Sequence, residues 1–187
     1  RDSRLFEIYS CEFIVDNNHL CFLVSDRDKN LLIYKFQPET RESCGGTRLI
    51  RKADYHLGAN VNSFFRIKCK YPHTNYVDQG LKTLVESKHM TVFATLDGSL
   101  HYLLPINEKI YRRLLMLQNT MNVHLQHTAG VNPKGYRTVM MHRKSLTNPC
   151  RNVLDGDLIF RFINLSMNEK TELCKKIGST TDQVRKV

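Results

Sequence analysis

EKIYRRLLMLQNTM, residues 108–121, is where this chain changes architecture. Ile110, Leu114, Leu117, Met121 and Leu125 recur at three- and four-residue steps, the repeat of one face of an α-helix. Lys109, Arg112 and Arg113 fall off that face. Asn107 is a fair N-cap, and Glu108 suits the positive end of a helix dipole. The residues before this stretch read as strands, and those after it read as helices. The apolar stripe is therefore expected to dock against the hairpins before it, with its basic side outward.

Working back toward the N-terminus, residues 1–105 carry strand and turn signals. Phe6–Val15 is apolar and rich in β-formers. Cys21–Val24 and Leu31–Tyr34 flank a polar turn with two Asp and an Asn, the pattern of a hairpin. Thr91–Thr95 and Leu100–Leu104 repeat the plan around Leu96–Ser99, where Asp97-Gly98 is a strong hairpin turn because Gly accepts positive φ. Weaker strands are expected at Leu49–Tyr55 and Val61–Phe65. Cys69–Gly80 is polar and turn-rich and reads as a surface loop, with Tyr71 and Tyr76 available to stack on bases. Two hairpins of one design fit about two blades of a β-propeller at roughly 40–45 residues per blade. The same pattern fits a small β-sandwich, and periodicity alone leaves both open.

Toward the C-terminus the signals stay helical. Gly130 and Pro133 close the first helix or the loop after it. Lys134–Lys144 is ambiguous between strand, helix and irregular structure. Asn152 or Asp155 caps a second helix with apolar positions Leu158, Ile159, Phe162 and Ile163. Ser166–Glu169 is a capping-box sequence that opens a third helix through Leu173 and Ile177, ended by Gly178. Ser179–Asp182 is placed to cap another. The expected division is a β part at 1–105 and a helical domain at 106–187.

The charge is uneven across that division. Residues 1–105 hold 14 Lys/Arg against 12 Asp/Glu, a net of +2, whereas residues 106–187 hold 14 against 6, a net of +8. Lys109, Arg112, Arg113, Lys134, Arg137, Arg143, Lys144 and Arg151 form the basic set, interleaved with Tyr111 and Tyr136. A localised positive field favours a polyanion or an acidic protein partner. Such groups contact phosphates without reading sequence, and no RNP motif, KH loop or zinc finger accompanies them.

Composition places the chain among ordinary globular proteins. No apolar run approaches the ~20 residues that cross a bilayer. The N-terminus has neither a signal-peptide core nor an initiator Met, which suggests a fragment or a processed piece. The six cysteines form no C-x-x-C pair, so they read as reduced thiols buried as small hydrophobes rather than as a metal site. No G-x-S-x-G elbow, H-E-x-x-H or Walker loop is present. Asp155-Gly156-Asp157 starts like a calcium loop, but no series of acidic ligands comes after it, and its plainer role is turning the chain and capping a helix. Neither an active site nor a cofactor is expected.

Five pieces then resemble one family. FLVSDRDKNLLIY (22–34), VFATLDGSLHYLLP (92–105), YRRLLMLQN (111–119), RNVLDGDLI (151–159) and KKIG (175–178) are similar, in this order, to the C-terminal region of the large subunit of the cleavage and polyadenylation specificity factor. That family shares a superfamily with the large subunit of the UV-damaged-DNA-binding complex and with a splicing-factor subunit. The NVLDGDL piece fits the superfamily broadly, and YRRLLMLQN looks like the polyadenylation member. The resemblance implies the last blades of an incomplete seven-bladed propeller followed by a C-terminal helical domain. It also implies a nuclear scaffold without catalytic activity, which holds a zinc-finger subunit and a WD-repeat subunit that read AAUAAA in pre-mRNA. A DNA-repair or splicing paralogue, or direct RNA binding by the basic region, is the alternative. The chain departs from the family at its end, where Gln183–Val187 stands in place of an acidic and apolar tail.

Overall fold

The computed structural model describes residues 6–16, 19–72, 85–142, 144–145 and 152–185. Its first part is antiparallel sheet. Strands β1 (Ile8–Asp16), β2 (His19–Asp26), β3 (Asn30–Lys35) and β4 (Ile50–His56) pair in chain order as a four-stranded sheet. Strands β5 (Val61–Pro72), β6 (Val85–Thr95) and β7 (Leu100–Leu103) form a second, three-stranded sheet. Both expected hairpins form. The β2–β3 turn is closed by Lys29 at φ +65°, and the β6–β7 turn by Gly98 at φ +85°. The expected surface loop at Cys69–Gly80 is corrected at its first four residues, which are strand. Cys69–Pro72 continue β5 and pair with Val85–Lys88 of β6, and residues 73–80 lie outside the described set.

Strand alternation gives the first sheet two apolar faces. On one face Ile14, Leu23 and Leu31 share a core with Val61 and Phe93 of the second sheet. On the other, Val24, Leu32 and Tyr34 are covered by Phe6, Phe22 and Leu49. The two sheets are also tied at their margins. Ser10 Oγ donates to Val61 O at 2.9 Å, and Arg66 faces Glu12 at 3.8 Å. Among the described residues neither sheet closes on itself.

Helix α1 (Glu108–His124) starts at Asn107, whose extended backbone makes it the N-cap, although its side chain bonds no amide of the first turn. Then come a one-turn helix, α2 (Pro133–Tyr136), and a two-residue ribbon of β8 (Met140–Met141) with β9 (Lys144–Ser145), which together make up the stretch left ambiguous by its sequence. Helices α3 (Gly156–Asn164), α4 (Met167–Lys176) and α5 (Thr181–Arg185) complete the chain. Ser166 and Glu169 make both bonds of the capping box that opens α4. Gly178, at φ +67°, ends it, and Ser179 N reaches back to Cys174 O at 3.0 Å.

One expectation is corrected here. The stripe of α1 does not dock on the hairpins. Leu117 and Met121 pack with Leu158, Phe162, Leu173, Cys174 and Val184, flanked by Leu114 and Leu125. The helical region thus has its own core: α3, α4 and α5 each bring apolar residues that must be buried against another element, and here they are buried against α1 and one another. Ile163, counted among the apolar positions of α3, points outward and is 58% exposed. The cysteines also differ from expectation: Cys174 is buried, but Cys11 and Cys44 are exposed free thiols.

Candidate functional site

With separate cores on each side, the junction between sheet and helices is held by polar groups. Asn30, fully buried at the start of β3, stands at one end. Its backbone N–H and side-chain amide both donate to the Asp26 carboxylate at 2.8 Å. The same amide pairs with the backbone of Met140, donating to its carbonyl at 2.7 Å while accepting from its N–H at 2.9 Å. His56 Nδ1 lies 3.0 Å from Asn30 Oδ1. That oxygen only accepts, so the Nδ1–H tautomer is the one that fits. Burial pushes the Asp26 carboxyl above its ordinary value, against the lowering effect of the Asn30 bonds. Burial first, then Arg137 and Lys29, hold the His56 imidazole below its ordinary 6.5.

Arg137 stands at the other end. Its Nε donates to Asp155 Oδ2 at 2.9 Å, and its Nη1 to Leu57 O at 3.0 Å and His56 O at 3.4 Å. The guanidinium lies 4.8 Å from the Tyr55 ring centre and 5.0 Å from that of Tyr136. Asp155 in turn caps α3, accepting from Leu158 N, and its own N–H donates to Gln118 Oε1 on α1 at 2.8 Å. Between the two possible caps in the sequence, Asp155 takes the helix, while Asn152 donates to Lys52 O of β4 at 2.6 Å. A continuous relay therefore runs from the β2–β3 turn through β4 and α2 to α1 and α3.

The eight basic residues separate in space and role. Lys109 and Arg112 are exposed on α1, with Arg112 paired to Glu108 one turn away. Arg113 is half-buried, and Lys134 is exposed on α2. Arg137, only 17% exposed, sits inside the junction with Nε and Nη1 hydrogen-bonded and Nη2 3.9 Å from Asp157. For Lys144 the backbone is described, in β9, while Arg143 and Arg151 lie outside the described residues. Charge counting did not reveal Asn30, His56 or Gln118. A buried polar residue leaves no periodic trace, and only the Asp-Gly pair at 155–156 hinted at its part.

A cavity of about 220 Å³ opens beside Arg137, between Tyr55 of β4, the Leu115–Asn122 side of α1, Lys134 and the start of α3. Among the described residues no group of three His, Cys, Asp or Glu is placed to hold a metal ion, and no helix is long and apolar enough to cross a membrane.

Residues 1–164, which carry the whole junction, match the family described as the CPSF A subunit region. The chain belongs to the CPSF A subunit family. Its relatives extend past that stretch. It is 47% identical over 98% of its length to a protein of Drosophila melanogaster named "Cleavage and polyadenylation specificity factor subunit 1". It is 34% identical over 89% of its length to the "Probable cleavage and polyadenylation specificity factor subunit 1" of Caenorhabditis elegans, and 33% identical over 91% to "Protein cft1" of Schizosaccharomyces pombe. The chain spans 12% of the length of each of these relatives. The CPSF A match ends at the last residue of α3, so α4 and α5, which complete the helical core, lie beyond it.

Proposed function

We propose that this chain is part of a non-catalytic scaffold subunit of the nuclear machinery that cleaves and polyadenylates pre-mRNA. The observation that carries this reading is the 47% identity, over 98% of the chain, to a protein named as a cleavage and polyadenylation specificity factor subunit. Under this reading the subunit holds the zinc-finger and WD-repeat subunits that recognise AAUAAA. The division into a β part (1–105) and a helical domain (106–187) is supported by their separate cores. Terminal propeller blades are supported by the consecutive antiparallel order of the strands in two adjoining sheets. The exposed Ile8, Tyr9, Leu100 and Tyr102 favour further protein covering those sheets. Depleting the full-length protein from nuclear extract should abolish cleavage of an AAUAAA-bearing RNA, and adding it back should restore cleavage. Undiminished cleavage after depletion refutes the reading.

A second reading, direct RNA contact, is favoured by the net +8 of residues 106–187. Lys109, Arg112, Arg113 and Lys134 would meet phosphates, together with Arg143, Lys144 and Arg151. Such binding weakens steeply with salt. Absence of RNA binding at low salt removes it.

A further inference from the structure

We infer that the cavity at the sheet–helix junction docks a short extended peptide of a partner protein, one aliphatic side chain entering it beside an acidic residue. The inference rests on the scaffold reading and names the chemistry of the partner. At about 220 Å³ the cavity is smaller than the roughly 300–1,000 Å³ pockets that enclose drug-sized ligands, and it suits a single side chain with its adjoining backbone.

The walls have two characters. Leu115, Val153 and Leu158 give an apolar side, while Gln118, Asn119 and Asn122 bring carboxamides from α1. Asn122 is only 7% exposed, and its carbonyl oxygen has no hydrogen-bond partner. Buried carbonyls are rarely left so. Turning the amide about its soft terminal torsion presents that oxygen to a guest, and a peptide N–H is the donor it lacks. The same molecule shows how well an Asn reads a peptide unit: Asn30 pairs with both the N–H and the carbonyl of Met140.

Charge selects the flanking residue. Arg137 is matched by Asp155, so within the lining the exposed Lys134 is the unanswered charge. Residues 106–187 together carry a net charge of +8, and the nearby Asp157 faces Arg137 at 3.9 Å rather than Lys134. An Asp or Glu next to the inserted side chain completes the fit. RNA suits the site less well. Capture of single-stranded bases leans on free aromatic faces, and Tyr55, the aromatic in the lining, has the Arg137 guanidinium over its ring.

The test uses the full-length protein and fluorescence anisotropy with two labelled hexapeptide pools. Each pool has one Leu, Ile or Met, flanked by Asp or Glu in the first and by Lys in the second. The acidic pool should bind at least tenfold tighter. Asn122→Leu and Lys134→Glu should each weaken it at least tenfold, and Asn122→Leu should leave the thermal midpoint unchanged or higher. If Asn122→Leu misfolds, Asn119→Leu and Lys134→Glu on the exposed rim carry the test. Equal binding of the two pools, or binding that survives the substitutions, overturns the inference. So does an oligoadenylate that displaces the acidic pool and itself loses affinity on Asn122→Leu, because the cavity then belongs to RNA. Entry of the wild-type protein into the processing complex is scored alongside. Absent peptide binding with normal entry defeats only the cavity, whereas failed entry defeats the scaffold reading.

Discussion

Replacing Arg137 by Met tests whether the polar relay fastens the helices to the sheets. Met keeps an unbranched apolar stem and removes the fork of donors. Asp155, 6% exposed, then keeps its weak 3.4 Å bond from Leu158 N but loses its counter-charge. Leu57 O loses a donor, and the Tyr55 and Tyr136 rings lose their cation. Removing one partner of a buried ion pair costs roughly 3–5 kcal/mol. Because the Arg137 side chain is 17% exposed and Asp155 still caps α3, the low end applies, about 3 kcal/mol. Asp155→Asn in the Arg137→Met background should recover about 1–2 kcal/mol, because a neutral amide still caps and needs no counter-charge. Urea unfolding reads both variants, provided the slope of the transition is unchanged. A loss under about 0.5 kcal/mol, the range of ordinary surface substitutions, refutes the reasoning. So does a double variant weaker than Arg137→Met alone.

Further predictions concern other elements. Leu117→Ala, at a site 1% exposed in the helical core, should lower stability by about 3 kcal/mol in the same assay. Ser166→Ala should lose about 1 kcal/mol by removing the capping box of α4, with reduced amide-exchange protection confined to that helix. The pH response depends on His56, whose imidazole is held below its ordinary 6.5. Below that pH the unfolded chain takes up a proton that the folded chain resists. The contribution is therefore full above about pH 6.5 and is lost as pH falls toward the folded value. Unfolding at about pH 7.5 and pH 5.5 should show a smaller drop for His56→Gln than for the wild type. An equal drop places the responsible group elsewhere.

The elements legible in the sequence are those written in local signals. Asp97-Gly98 located one hairpin, the three- and four-residue recurrence located α1, and Ser166–Glu169 located the start of α4. The stripe on α1 revealed a buried face but not what covers it. That depends on Phe162 and Leu173, 45 and 56 positions further along. The basic set was visible as a count, yet the count grouped Arg137 with Lys109 and Arg112. What separates them is Asp155, 18 residues away in sequence and 2.9 Å away in space. Asn30 and Asn122 were silent for the same reason: a buried amide is meaningful only beside its partner, or beside the lack of one. The polar composition of Cys69–Pro72 pointed to a loop, and pairing with β6 overrode it.

The joint between the two cores has a mechanical consequence. Apolar contacts are non-directional and let one body roll over another, whereas hydrogen bonds lose strength quickly as their angles open. A seam of carboxylate, guanidinium and amide pairs therefore behaves as a fixed elbow rather than a pivot. The seam meets α1 at Gln118, and at 1.5 Å per residue the Glu108 end lies ~15 Å along the helix from it, so a tilt of ~10° there would swing that end by ~3 Å. Anything gripped along that lever inherits the angular fidelity of a few polar side chains.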